Sequence, residues 1–528
     1  MTLCQYSKIK DLNLSNQKFD IVIVGAGTAG LEIAKNASLA NLKICLIDQG
    51  SSEGKSLFNK IPLLSGKMLS NEKHCLNFIS RRQQSLNNRQ VPILQGIGFG
   101  GSGLINGGVS YLGLEKKFNE VFHFWPKDIY SKVRKKIFNN STFNYNREFG
   151  FSDALSDYFI EGLLKSNFKE KDDLDNSVDG VGLIHINTLH AKRNNFVNDF
   201  FKNARHQNIK KISNSKVLKI ILENGVASGV VCKNLDLPNS NYTVYGTKIV
   251  ISAGTIFSPQ ILINSGIGNP KTLKKIGIDV EINQKHVGKH LRDHANFRID
   301  FECRGFDTIN QKSKGLKLLK EIFKYYFMNN SILGGCGSSL AWNSSDFEGA
   351  KNINSLVRYH LVHFTQKREK LSSSGIKFEN DQRASIGCFQ VFPRSEGELM
   401  FDERASLTVD PNYLGDHLDK RLANEALSRA IKTIIEIGFK PNLDGENAKN
   451  YLKHIEQNTF SGYHLIGTNR MAINKNLGVV DKQFKVFGAA NIYVCDASIF
   501  PNFVSSHQYL PTLAVGKVFS SQQKWISL

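Results

Sequence analysis

Phe19-Asp20-Ile21-Val22-Ile23-Val24-Gly25-Ala26-Gly27-Thr28-Ala29-Gly30 is an apolar run that breaks into a glycine turn, with a helical pattern from Leu31 to Ala40 behind it. An uninterrupted β-branched run reads as a parallel strand covered on both faces. The glycine spacing then has a separate reason at each position. Gly25 permits a tight turn, Gly27 lets backbone amides approach a pyrophosphate, and Gly30 lets helix and strand pack closely. The helix N-terminus adds partial positive charge. A second strand, Lys43 to Ile47, ends at Asp48, 18 residues beyond Gly30, where a carboxylate can accept hydrogen bonds from a ribose. Strand, turn, helix and acid together predict dinucleotide binding. This stretch alone leaves FAD and NAD both open.

Gly96-Ile97-Gly98-Phe99-Gly100-Gly101-Ser102-Gly103-Leu104-Ile105-Asn106-Gly107-Gly108 is too dense in glycine for a helix or strand interior, so it predicts a loop that something approaches closely. A third block runs from Gly254-Thr255-Ile256-Phe257-Ser258-Pro259 to Ser265-Gly266-Ile267-Gly268. Pro259 and Gly266 there suit the two caps of a helix, which is an architectural role as readily as a ligand-binding one.

The 528-residue chain is 41% hydrophobic and 22% charged, which suits a globular protein with a large core and excludes disordered and fibrous classes. At that length more than one folding unit is expected. The 68 Lys and Arg exceed the 47 Asp and Glu by 21. Such a surplus is compatible with nucleic acid, an anionic membrane or an acidic ligand, and equally with a solvated surface shaped by base composition. The eight cysteines are scattered without a Cys-x-x-Cys pair, so no metal, haem-attachment or thioredoxin-type spacing is present. Free thiols in a reducing compartment are expected. The first 18 residues lack a signal-type apolar stretch of about 7–15 residues, and no run of about 18 apolar residues marks a transmembrane segment, so the expectation is a cytoplasmic protein.

The two glycine blocks resemble the glucose-methanol-choline (GMC) family of FAD oxidoreductases, and the segment 254–268 fits that family's GTxxSPxxLxxSGIG pattern throughout. The resemblance continues through Val287 to His294, Pro393 to Gly397, Asp410 to Tyr413, Tyr463 to Met471, Gly478 to Asp481 and Asp496-Ala497-Ser498, in the family's order from residue 19 to about 520. It implies an α/β fold. A Rossmann-type FAD-binding domain would be assembled from the discontinuous segments 1–145, 185–295 and 462–528. Residues 146–184 would form a connecting or substrate segment, and 296–461 an α+β substrate domain built on an antiparallel sheet that covers the flavin. By the same resemblance Gly25, Gly27, Gly30 and Asp48 would hold the ADP half of FAD, and Gly101, Ser102 and Asn106 would line flavin and pyrophosphate. The backbone of Val217 would meet the adenine, and Asp496 and Ala497 would touch pyrophosphate and isoalloxazine. Some members attach FAD through a histidine just before the asparagine of the glycine loop; Ile105 stands there in this chain, which implies non-covalent FAD.

His464, in Tyr-His-x-x-Gly-Thr, and His507, 43 residues later in Ser-Ser-His, match the family's two polar positions facing the flavin. Oxidising an alcohol requires removal of the hydroxyl proton while hydride leaves carbon, and an imidazole of ordinary pKa, about 6.5, can be that base. The resemblance therefore implies His464 as base with His507 orienting the hydroxyl. The substrate would be a small-molecule alcohol, favoured as a sugar or polyol, an anionic sugar being compatible with the charge, with an unidentified electron acceptor. Non-oxidative or light-driven chemistry on the same fold is the alternative, and a basic nucleic-acid or membrane-surface binder a more distant one. No nucleic acid partner is expected. No basic amphipathic helix stands out in the sequence, and the helical patterns Leu316–Phe327 and Asn424–Glu436 read as packing faces. His286, His290 and His294 share a helical spacing without a zinc-protease signature, so they read as structural. Asn469 and Ala472 replace the Cys and Gly of the common GTCRMG form, and Asp48 stands where Glu is commoner; neither departure removes a reacting group.

Overall fold

The computed structural model describes residues 17–51, 60–138, 147–174, 177–194, 208–237, 240–347, 350–366, 377–443 and 450–526; Cys4 and most of the segment read for a leader lie outside them. The strands that frame the molecule are, in chain order, β1 (Lys18–Val24), β2 (Ile44–Ile47), β3 (Gly180–Leu183), β4 (Ile209–Ile212), β5 (Ser215–Glu223), β6 (Val226–Asn234), β7 (Asn241–Ile251), β8 (Ala295–Glu302), β9 (Ser338–Ser344), β10 (Val357–Val362), β11 (Arg383–Gln390), β12 (Lys440–Pro441) and β13 (Ile492–Val494). Five helices matter below: α1 (Thr28–Leu39), α2 (Gly254–Asn264), α3 (Gly315–Phe327), α4 (His417–Glu436) and α5 (Tyr509–Gln522).

The first sheet runs β4-β2-β1-β7-β6-β5, with β13 beside the end of β7. Its central strands are parallel, with Val24 level with Ile47 on one side and Ile251 on the other. The chain leaves β1 with its neighbours on opposite sides, so a crevice opens beyond its carboxyl end, where open α/β sheets bind ligands. Residues 21–24 and 44–47 are buried throughout, as the apolar runs require. α1 and α5 cover one face, joined by Lys517 Nζ on Glu32 (2.9 Å).

The second sheet, β12-β8-β11-β10-β9-β3, is antiparallel throughout. Strand alternation divides its side chains cleanly. Phe297, Ile299, Phe301, Tyr359, Leu361 and Ile386 point into a separate core that α4 closes with Leu422, Ala426, Leu427, Ala430 and Ile434. The pattern read over 424–436 is thus a packing face. Asn296, Arg298, His360, Val362 and Phe389 occupy the opposite face and line a cavity between the two sheets.

Two expectations are corrected here. α3 is not a packing face, since only Glu321 and Tyr325 of its thirteen residues are buried. Pro259 does not cap α2 but is its sixth residue, which deprives the Thr255 carbonyl of its helical donor. Thr468 supplies the missing hydrogen bond through its hydroxyl, 2.6 Å from that carbonyl, and Thr255 Oγ1 returns one to the Leu465 carbonyl at 2.8 Å. The proline thereby latches α2 to the segment carrying His464. Gly266 does follow the helix with φ +76°, as a C-terminal glycine should.

Thr468→Val, at a fully buried position, should therefore lower stability by about 1–3 kcal/mol. That cost should shrink in a Pro259→Ala background, where the backbone at position 259 again offers an amide to the Thr255 carbonyl. Urea midpoints of the two single variants and the double variant measure the coupling, and purely additive losses would refute the latch.

Candidate active site

The nucleotide end of the cavity is backbone. Gly25 has φ +99°, and a Cβ there would lie 2.3 Å from the Ser252 carbonyl oxygen. At Gly27 a Cβ would meet no protein atom nearer than 4.0 Å and would project into the cavity that this residue lines. Gly27 is also the N-cap of α1 and offers no side-chain cap, so the amides of the first turn face the cavity uncovered. Gly101 comes so close that its Cβ would stand 3.1 Å from Gly27 Cα. A bare helix N-terminus between two glycine turns fits an anionic pyrophosphate. Gly30 lies behind this wall rather than on it: a Cβ would sit 2.0 Å from the Gly25 carbonyl oxygen, so its part is packing, and its reading as a cofactor contact is corrected.

Asp48 lines the same end of the cavity. Its Oδ2 accepts from Ala26 N at 2.8 Å, and its Oδ1 from Gly50 N at 2.9 Å and Gly98 N at 2.8 Å, which ties the first glycine turn to the second. With the Gln49 amide as well, most of its acceptor directions are taken by backbone donors. Asp496 is similarly occupied: Oδ2 accepts from Gly254 N (2.9 Å) and Ser258 Oγ (2.5 Å), and Oδ1 from Ser498 N (2.8 Å). Turned onto these donors, the carboxylate leaves backbone rather than negative charge for a phosphate, and Ala497 lines the cavity beside it. Ser102 Oγ accepts from Gly96 N, while Asn106 accepts from Gly108 N and from the buried Arg193. Val217 lies on the edge strand β5, where the pairing register with β6 slips between Val217 and Lys219, and it lines the cavity.

At the other end four imidazoles meet: His294, His360, His464 and His507. The His464 and His507 ring centroids are 4.9 Å apart at a steep angle, and both rings line the cavity, whose volume is about 430 Å³. Hydrogen-bond partners decide their tautomers. His294 Nε2 is 2.9 Å from the Val391 carbonyl, which can only accept, so His294 carries its proton there and its Nδ1 is an acceptor. That Nδ1 is 2.9 Å from His464 Nδ1, so His464 donates from Nδ1 and holds a lone pair on Nε2. On the other side Arg358 Nη1 donates to Ser506 Oγ at 2.5 Å, and among the described residues His507 Nδ1, at 3.0 Å, is the acceptor within reach of that hydroxyl's own hydrogen. His507 therefore carries its proton on Nε2. Two adjacent imidazoles are set in opposite senses, one to accept and one to donate.

Burial in this apolar, cationic surrounding disfavours imidazolium. It lowers the pKa of His464 to about 4 and that of His360 to about 3. His507 and His294 also lie well below the ordinary value, mainly by burial and further through neighbouring imidazoles. His360 Nε2 is buried without a hydrogen-bond partner among the described residues. The sequence reading missed His360, Arg358 and the part played by His294. Two ionisable residues, Arg358 and His360, in the otherwise apolar strand Val357–Val362 were the available signal for the first two. The HxxxHxxxH spacing obscured the third, because the structure divides that trio. His286 and His290 bond each other, His286 also bonds the Asn476 carbonyl and His290 Glu396, whereas His294 turns to His464.

The family model for GMC oxidoreductase matches residues 19–296 in its N-terminal part and 393–516 in its C-terminal part. The chain is 26% identical to the alcohol dehydrogenase [acceptor] of Pseudomonas putida, over 94% of each chain. It is 24% identical to the oxygen-dependent choline dehydrogenase of Photobacterium profundum, over 95% of this chain and 92% of that one. Among solved structures it superposes on an Aspergillus oryzae formate oxidase variant (TM-score 0.82, 17% identity, 96% and 97% covered) and on pyridoxine 4-oxidase from Mesorbium loti (TM-score 0.79, 18% identity, 95% and 98% covered).

Ile105 is buried in the core beside the glycine loop and offers no nucleophile. Acid precipitation of the purified yellow protein should release intact FAD, and flavin retained on the pellet would contradict the assignment. Gly27→Val should leave a folded protein without flavin absorbance, because its side chain fills the pyrophosphate position.

Proposed function

We propose a reaction for this chain, which belongs to the GMC oxidoreductase family, uses FAD and acts on alcohol-type donors: oxidation of the CH–OH group of an uncharged or anionic alcohol, with His464 as base and His507 as hydrogen-bond donor. The observation that carries it is the opposite setting of the two imidazoles. FAD, when bound, supplies the hydride acceptor. The substrate hydroxyl gives its proton to His464 Nε2, the nitrogen left bare by the Val391–His294 relay. His507 Nε2–H donates to the same oxygen and stabilises the negative charge that grows on it as the proton leaves. Gly27, Gly101, Ser102, Asn106, Val217, Asp48, Asp496 and Ala497 hold the dinucleotide, mostly through backbone.

The limit on substrate charge rests on the cavity wall. Asp48 and Asp496 are its only carboxylates among the described residues, and both are saturated or nearly so by protein donors. Arg298 lines the cavity at the histidine end, and a cationic substrate would find repulsion there without a counter-charge. The choline of a named relative is thus disfavoured here. Sugars and polyols fit better, with Asn296, Arg298 and His360 offering polar contacts among Phe389, Phe460 and Tyr463. Lys216 and Arg298 are the only Lys or Arg on the described wall, so the surplus of positive charge lies mainly elsewhere. A reducing, cytoplasmic compartment accords with the seven free cysteines among the described residues, six of them buried.

His464→Ala should keep FAD and slow substrate bleaching of the flavin by about 100-fold or more, the usual worth of a positioned base. His507→Asn should cost less, since an amide still donates. Near-normal bleaching by the His464 variant would remove it from the mechanism. The reduction rate should stay level across the range where an ordinary imidazole titrates and fall only as pH drops toward about 4, because protonated His464 cannot accept the hydroxyl proton. A rapid-mixing pH profile with an acid limb near 6.5 would contradict the buried neutral base. Among size-matched alcohols, bleaching by a quaternary ammonium at a rate equal to the neutral compound would refute the charge limit.

A further inference from the structure

α3 presents its apolar side outward. At about 3.6 residues per turn, Glu321 and Tyr325 fall on one side of the helix and Leu316, Leu319, Phe323, Tyr326 and Phe327 on the other. The first two are nearly inaccessible, whereas those five and the following Met328 are between 58% and 83% exposed. A surface helix ordinarily turns polar residues to water, and this one reverses the rule over six large side chains along about 20 Å. Contiguous apolar surface of this kind marks an interaction site.

The attachment beneath is narrow but specific. Glu321 accepts from Ser331 Oγ (2.9 Å) and Ile332 N (3.1 Å), and Tyr325 packs in a small core with Ile332, Leu333 and Val362. Val362 also lines the flavin cavity, as do Cys336 and Ser338 just beyond that turn. The outward face is bordered by lysines. Lys317, Lys320 and Lys324 follow one another at three- and four-residue spacing along one flank, Lys317 with Asp307 at 2.7 Å and Lys324 with Glu321 at 3.4 Å, while Lys320 is exposed. An apolar stripe edged with lysines on a chain of net charge +21 is complementary to one kind of surface, an apolar layer under anionic headgroups. A second copy is a poorer complement, because it carries the same excess of 21 positive charges.

We propose that α3 docks this protein on an anionic lipid bilayer. The helix lies in the plane of the interface, with Leu316, Leu319, Phe323, Tyr326 and Phe327 below the headgroups and Lys317, Lys320 and Lys324 at the phosphates. No helix among the described residues is long and apolar enough to cross a membrane, so this contact is peripheral. It brings the turn that feeds the cavity wall to the lipid side, and it is independent of which alcohol is oxidised.

The test uses the full-length FAD-loaded protein and co-sedimentation with vesicles of phosphatidylcholine alone or with about one third phosphatidylserine. Wild type should sediment with the anionic vesicles, release with rising salt, and bind the neutral ones at least about tenfold more weakly. The combined variant Leu319→Ser, Phe323→Ser, Phe327→Ser should lose anionic binding by about tenfold or more, with flavin content, melting temperature and flavin reduction in solution unchanged. Lys320→Glu with Lys324→Glu should weaken binding to anionic vesicles alone. Wild type left in the supernatant, or a triple variant that sediments like wild type, would overturn the proposal. A concentration-dependent dimer in sedimentation velocity that the triple variant abolishes would overturn it too, by assigning the face to a second copy.

Discussion

The carboxylate of Asp293 holds the two halves of the site together. It is buried where the chain passes from the nucleotide sheet into β8, and its oxygens gather four donors, one from the next residue and three from two distant segments. Oδ1 accepts from the amides of His294 and His464, each at 2.8 Å, and Oδ2 from the hydroxyls of Tyr413 and Ser461, each at 2.5 Å. Burial pushes its pKa up and the four hydrogen bonds push it back, with no cation among them. An anion buried this way is tolerated only with its acceptor directions filled, so the requirement to satisfy Asp293 fixes where residues 294 and 464 stand relative to each other. The contact between their two Nδ1 atoms follows from that placement. Asp48 and Asp496 repeat the device at the nucleotide end, each joining segments far apart in sequence through backbone amides.

This economy explains why the site is neutral where chemistry is proposed. Arg358 stacks over Tyr111 and donates to Ser506, and its charge also acts on His507 across that hydroxyl. Together with burial it disfavours imidazolium at His507, His360 and His294, while at His464 burial alone does so. A base with so low a pKa stays ready to accept at any ordinary pH. Its orientation comes from a backbone carbonyl two residues removed by hydrogen bonding, Val391 O through His294.

Much of the fold was legible because it is local. The apolar strand, the glycine turn, the helix behind it and Asp48 each announce themselves within thirty residues of Phe19, and the dense second glycine block declares a close approach without naming its partner. The histidines at 464 and 507 were legible by resemblance rather than by spacing. What escaped the sequence depends on tertiary neighbours. Nothing near His294 indicates that it faces His464, 170 residues away, and the buried strand around Arg358 and His360 gives no sign of which face meets the cavity. Pro259 was misplaced because a proline suits a helix start, and only Thr468, over 200 residues on, makes the interior position tolerable. α3 was misread for a related reason. An apolar stripe of helical period looks the same whether it meets a core or faces outward, and burial alone separates the two.

The central claim is that the two imidazoles are locked in opposite tautomers. Nitrogen-15 side-chain spectra of the histidine-labelled, FAD-loaded protein at neutral pH test it most directly, with His464→Gln and His507→Gln variants assigning the two resonance pairs. The account predicts His464 protonated at Nδ1 with a bare Nε2, and His507 protonated at Nε2 with a bare Nδ1. The same tautomer in both rings, the reverse pair, or an imidazolium at either position would contradict it.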